Sequence, residues 1–203
     1  MRNRRSWGPQ AHRLRSTGIV KQTLVKETLL SYLAISYPEL EPSDFEKIQQ
    51  FRKARDFQYK LIEPHFTLVF PTAGFQAQTF SAEITKQAAG TDPFDFCLRC
   101  ATINKDAFSE RYHIFLVPDE GFSKILKLHD QLYADQLSPY RSLDIDYVPH
   151  ITIGNTKDPQ LCLDMVNQWN QTDFEIWGQI KQLDLIESAE HQIRTVATLN
   201  LSR

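Results

Sequence analysis

Pro64-His65-Phe66-Thr67-Leu68-Val69-Phe70-Pro71 and Pro149-His150-Ile151-Thr152-Ile153-Gly154 are the two stretches on which the reading of this chain turns. Each alternates an apolar with a polar or half-apolar residue and is rich in β-formers, so each predicts a strand. Within each, His and Thr stand at i and i+2. On a strand that spacing puts imidazole and hydroxyl on one face, about 6–7 Å apart along the chain. One His-x-Thr arises by chance in any β-rich protein. Two copies that share an upstream proline form a pattern.

The flanking sequence repeats as well. Before the first motif, a β-prone run over residues 32–37 ends at Pro38. Ser43-Asp44-Phe45-Glu46 then has the form of a capping box opening a helix to about Phe57. The motif strand is expected over residues 61–70, stopping at Pro71, and is followed by a helix over 80–89 and a strand over 94–101. The second round begins with a strand over 112–117 ending at Pro118. Next come Phe122, Ile125, Leu126, His129, Leu132 and Tyr133, the spacing of an amphipathic helix. A connection through Pro139 leads to the second motif strand, expected over 145–153. Asp158-Pro159 caps a helix whose apolar face is Leu161, Cys162, Met165, Val166 and Trp169. Strands over 179–186 and 195–201 finish the chain. Duplication at this long period predicts two similar lobes that build one site together. The expected fold is α+β, with mostly antiparallel sheets lining a central cleft and helices packed outside.

Composition bounds the function. The 203 residues are 41% hydrophobic and 24% charged, ordinary for a soluble globular chain. No run approaches the roughly 20 apolar residues of a membrane span. The first 26 residues carry seven Lys and Arg and no acid, which leaves 16 bases against 25 acids, a net of −9, in the rest. Residues 1–28 therefore read as a basic, disordered extension, and residues 29–203 as the folded domain. An acidic body argues against a long groove that neutralises many phosphates. A small substrate, or one end of an RNA, fits better.

Three cysteines, Cys97, Cys100 and Cys162, make no disulfide framework and point to free thiols in a reducing, cytoplasmic setting. Cys97-Leu98-Arg99-Cys100 has C-x-x-C spacing, but strand alternation would send the two sulfurs to opposite faces. No second cysteine pair completes a zinc site. Neither motif has a carboxylate pair or third histidine at ligand spacing, so no catalytic metal and no cofactor is indicated. No obligate protein partner is evident.

Two imidazoles and two hydroxyls facing one volume suit a phosphate. The hydroxyls can donate to its non-bridging oxygens, while one histidine deprotonates the attacking oxygen and the other protonates the departing one. The paired motifs resemble the H-x-T/S signatures of the two-histidine (2H) phosphoesterases, which include the 2′–5′ RNA ligase / RNA 2′,3′-cyclic phosphodiesterase proteins. The resemblance covers residues 29 to the C-terminus, with His65, Thr67, His150 and Thr152 at the four motif positions. It implies a bilobal fold with pseudo-twofold symmetry, catalysis without metal, and an RNA end or cyclic nucleotide as substrate. It also implies that His65 protonates the leaving 2′ or 3′ oxygen and that His150 activates water. Rival readings are RNA 3′-end trimming and a non-catalytic nucleotide- or RNA-binding module.

Outside the motifs, Tyr140 and Arg141 fall in a loop before the second strand. There they could stack on a base and neutralise phosphate, or simply lie on the surface. His113 at a strand start and His129 on a helix stripe read as structural, as do His191 beside Glu190 and His12 in the basic segment. Tyr147, three residues before His150, would face away from it on a regular strand and is not a candidate.

Overall fold

A computed structural model describes residues 30–189 and 192–202. The extension expected over residues 1–28, with His12, lies outside the described residues, and so does His191. Among these residues nine strands form two sheets in which every pairing is antiparallel. Strands β1 (Ser31–Ser36), β3 (Phe66–Ala73), β8 (Gln182–Ala189) and β9 (Gln192–Asn200) make one, in the order β3-β1-β8-β9. Strands β2 (Glu39–Leu40), β4 (Phe94–Lys105), β5 (Tyr112–Glu120), β6 (Ile151–Thr156) and β7 (Ile176–Ile180) make the other, in the order β2-β7-β4-β5-β6.

The duplication seen in the sequence is built into this topology. The first motif strand, β3, is the edge of one sheet and pairs with β1. The second, β6, is the edge of the other and pairs with β5. The halves then exchange strands. β4 follows the first motif but pairs with β5, and β8 follows the second motif but pairs with β1. The α+β architecture expected from the pattern is the one observed. The helices are α1 (Pro42–Arg55), α2 (Ala77–Ala88), α3 (Phe122–Leu132) and α4 (Pro159–Asn170), with a 3-10 turn, η1, at Asp135–Tyr140. Helix α1 lies on β6, α2 on β1 and β9, α4 on β4 to β6, and α3 touches both sheets through β3 and β5. Among the described residues no helix is long and apolar enough to cross a membrane.

Several local expectations change. Helix α1 starts at Pro42 with Glu41 at the cap and no side-chain capping bond, so Ser43 and Glu46 form no capping box. Proline suits the first helical position because its missing N–H would be unbonded there. Asp158, by contrast, caps α4 as expected, accepting from the N–H groups of Gln160 and Leu161 at 2.9 and 3.2 Å. Strand β3 runs through Pro71 rather than stopping there. It is an edge strand, where a missing donor is tolerated, and the register steps from Tyr32↔Thr72 to Ala34↔Val69, a bulge that absorbs the proline. The single strand expected over 179–186 is two, because the chain leaves one sheet at Ile180 and enters the other at Gln182. Both motif strands begin one residue after their histidine, at Phe66 and Ile151. Cys97 is buried and Cys100 exposed, on β4, and all three thiols are free.

Candidate active site

The alternation that put His and Thr together survives although the histidines precede the strands. Phe66, Leu68, Ile151 and Ile153 are fully buried, whereas His65, Thr67, His150 and Thr152 are half-buried. Phe66 packs edge-on against Phe96 of β4, ring centroids 4.9 Å apart, which anchors the inward face of β3 in the shared core. The polar face is thereby turned the other way.

Each imidazole is held by the same device. His65 Nδ1 lies 2.7 Å from the Glu63 carbonyl, and His150 Nδ1 lies 2.6 Å from the Val148 carbonyl, each two residues upstream. A carbonyl only accepts, so Nδ1 carries the proton and Nε2 of the neutral ring keeps its lone pair. His150 also stacks on Phe115 (centroids 3.5 Å, planes 14° apart), and Tyr37 meets His65 edge-on at 6.2 Å. Burial pushes both rings down to about 4, against the partial support of their carbonyl bonds. Positive charge on His65 and on His113 would lower His150 further.

The segment before His150 is pinned to β3. Tyr147 Oη donates to the Thr67 carbonyl at 2.9 Å, and the Tyr147 ring lies flat on His129 with centroids 3.5 Å apart. His129 Nδ1 in turn lies 2.8 Å from the Leu68 carbonyl, and Tyr133 Oη accepts from the Phe70 N–H at 2.9 Å. Helix α3 thus holds β3 and the 145–150 segment together.

Two cavities adjoin there. One, of about 390 Å³, is bounded by His150, Thr152, Phe115 and His113. The other, of about 730 Å³, is bounded by His129, Tyr133, Tyr140 and Arg141. Phe70, Phe108 and Tyr147 line both; His65 and Thr67 line neither. Tyr140 is half-exposed, its ring tilted against Phe75 at 5.1 Å, and Arg141 is paired with Asp130 at 2.6 Å. In the smaller cavity His113 Nε2 lies 3.0 Å from Asp106. Burial raises the Asp106 carboxyl, but bonds from His113, the Phe108 N–H and Ser109 outweigh it and hold the group down at about 2. Among the described residues no group of three or more His, Cys, Asp and Glu side chains is placed to hold a metal ion.

The sequence profile of the 2′-5′ RNA ligase superfamily matches residues 38–192, a span that includes both motifs. The chain belongs to this superfamily of two-histidine phosphoesterases. A Geobacillus kaustophilus protein provisionally named a phosphoesterase is 26% identical over 172 residues, covering 82% of this chain and 93% of that one. The RNA 2′,3′-cyclic phosphodiesterase of Methanothermobacter thermautotrophicus is 28% identical over 141 residues, 64% of this chain and 72% of that one. The fold is also that of Escherichia coli LigT, crystallised with 3′-AMP, with a TM-score of 0.52, 15% identity, and 87% of this chain and 99% of that one covered.

Within this 2H phosphoesterase, the residues absent from the sequence-derived site are Tyr147, His129 and His113. Strand parity would turn Tyr147 away from His150, but residues 145–150 are irregular and parity does not apply to them. His129 keeps a structural bond, as expected, yet the bond goes to the motif strand. His113 is brought to the second motif by pairing, since Phe115, two positions after it on β5, pairs with Thr152, and that register has no mark in the local sequence.

Proposed function

We propose that this chain hydrolyses 2′,3′-cyclic phosphates of RNA ends or nucleotides, with His65 and His150 as the proton-transfer pair. The carrying observation is the matched anchoring of the two rings, each Nδ1 bonded to a carbonyl and each Nε2 left with a usable lone pair. In the proposed step a water oxygen attacks phosphorus and gives its proton to His150 Nε2. The bond from phosphorus to the 2′ or 3′ oxygen breaks, and that oxygen takes a proton from His65 Nε2. Thr67 and Thr152 hydroxyls donate to the non-bridging oxygens. The negative phosphate raises the pKa of both rings on binding, which lets the acid hold its proton. With an RNA 5′-hydroxyl in place of water, the same ring-opening step, in which that hydroxyl gives its proton to His150 and the 3′ oxygen leaves with a proton from His65, joins ends through a 2′–5′ linkage.

Tyr140 and Arg141, at the larger cavity, are proposed to face the base and a phosphate. The Arg141–Asp130 pair is exposed on both sides, so exchanging Asp130 for a phosphate costs little. The test is turnover of 2′,3′-cyclic CMP, and of a short RNA with a 2′,3′-cyclic phosphate end, by purified protein in EDTA. Appearance of the monoester product supports the proposal. Folded protein inert on both substrates overturns it.

A further inference from the structure

A buried polar cluster at the end of α1 touches both motif-bearing segments. Arg52 is 1% exposed. Its Nε and Nη2 reach Asp56 Oδ2 at 2.8 Å, its Nη2 also donates to the Ile62 carbonyl at 2.8 Å, and its Nη1 donates to Gln49. Ile62 precedes Glu63, whose carbonyl holds His65. The second carboxylate oxygen of Asp56 accepts the Gln58 N–H and Asn155 Nδ2, both at 2.9 Å. Asn155 lies on β6, three residues beyond Thr152, and its own oxygen accepts from Arg111 at 3.3 Å.

The approach is close because position 154 is glycine. A Cβ there would meet the Arg55 Cβ and carbonyl at 3.4 Å and Ile114 Cδ1 at 3.1 Å. Asp56 and Asn155 are buried with Arg52, while Gln49, Gln58 and Arg111 around them are half-buried. A buried ion pair adds little stability over a well-packed apolar replacement. Here its remaining bonds run to the main chain leading to His65 and to the strand carrying Thr152, so its consequence is geometric.

We propose that Arg52, Asp56 and Asn155 act as a clamp that fixes the spacing between the His65 and His150 segments, which makes Asn155 a positioning residue for the reaction. The catalytic half of this inference rests on the proposed function; the geometric half does not. Tyr147 ties the segments at one end, on the Thr67 carbonyl, and the clamp ties them at the other. With both ties in place the two imidazoles can address one phosphate. With the clamp open, the 56–65 loop drifts from β6 while binding by the threonines persists.

The test uses the full chain with ¹⁵N-labelled histidine and two variants. Asn155→Asp keeps the shape but turns a carboxylate on Asp56, and Asn155→Ser removes the bond without adding charge. Ring ¹⁵N spectra, assigned by single His→Asn variants, report whether His65 keeps its carbonyl bond, and steady-state kinetics on 2′,3′-cyclic CMP report its alignment. Asn155→Asp is expected to shift the His65 ring resonances and lower kcat about 100-fold with KM within about twofold, a loss typical of about 1 Å of misplacement. Asn155→Ser is expected to fall between it and wild type. Unchanged His65 resonances in folded Asn155→Asp overturn the clamp, as does a rate loss that merely follows the folded fraction. Should Asn155→Asp fail to fold, the same two readouts on Asn155→Ser decide. If wild-type protein turns over no cyclic phosphate, the proposed function fails, and the ring spectra still decide the clamp.

Discussion

The Tyr147 hydroxyl donates to the Thr67 main-chain carbonyl across 2.9 Å, joining the segment that leads to one histidine with the strand that follows the other. The two motifs lie 85 residues apart in sequence and in separate sheets. A direct bond between their surroundings, backed by the Tyr147–His129 stack, limits how far the two edge strands can move apart.

Tyr147→Phe removes that one bond and leaves the stack. A buried hydrogen bond contributes about 1 kcal/mol net, and for a chain of this size that lowers Tm by about 2–4 °C. Activity should fall further than stability, by roughly tenfold in kcat, because the lost bond sets the separation of the motifs. Differential scanning calorimetry and steady-state rates on the same preparation check both parts. A Tm shift with unchanged kcat would make Tyr147 a packing residue only.

The depressed histidines make stability depend on pH. Burial holds His65 and His150 at about 4, below the ordinary value near 6.5. Above pH 6.5 the rings are neutral both folded and unfolded, and neither contributes a pH dependence. Between pH 6.5 and 4 the unfolded chain binds protons that the folded chain refuses, so stability is lost as pH falls, by up to about 3 kcal/mol per ring. His129, also lowered by burial, adds to the same slope. The His65→Asn/His150→Asn double variant should flatten the curve of Tm against pH between 6.5 and 4.5, keeping the His129 part. An unchanged slope would show that these rings do not carry it.

The same depression sets the pH profile of the reaction. The proposed step needs one ring protonated and its partner neutral in the free protein, and burial lowers both to about 4. Values of kcat/KM, which report the free protein, should therefore decline as pH rises from about 5 to 8. The alkaline limb of kcat should lie higher, because bound phosphate supports the charged ring. Limbs in either profile belong to the coupled pair.

Among the described residues no cluster of three or more potential ligands is placed to hold a metal ion. Cyclic-phosphate turnover is expected to survive EDTA and exhaustive dialysis. Restoration of a lost activity by added Mg²⁺, Mn²⁺ or Zn²⁺ would contradict this.

Which parts of this molecule were legible beforehand follows from the range of the interactions involved. The alternation of half-buried His65 and Thr67 around buried Phe66, and of His150 and Thr152 around buried Ile151, depends only on extended backbone over three residues, although the strands start at Phe66 and Ile151. The exchange of β4 and β8 between sheets has no local mark. Residues on both sides of Lys181 keep β-forming character, and the switch shows only in pairing partners. Arg52 and Asp56, four apart on a helix end, look like a surface pair in sequence. Their burial depends on Ile62 and Asn155 closing over them. The alternation of a strand says nothing of Tyr147, because residues 145–150 form no strand.

The roles of the two histidines separate by changing the leaving group. His65→Ala and His150→Ala should each lose about 10²–10⁴-fold on a cyclic phosphate, the usual contribution of a general acid or base. Thr67→Ala and Thr152→Ala should lose less, since each removes a hydrogen bond to phosphate and no proton carrier. A nitrophenyl phosphodiester expels a phenolate that needs no proton. If His65 is the acid, His65→Ala should regain most of its rate on that substrate, because the step it served has become unnecessary. His150→Ala should stay slow, because water still has to lose a proton as it attacks phosphorus. Equal recovery by both variants would mean that neither ring is a dedicated acid. Recovery by His150→Ala alone would reverse the assignment, with His150 donating to the leaving oxygen and His65 activating water.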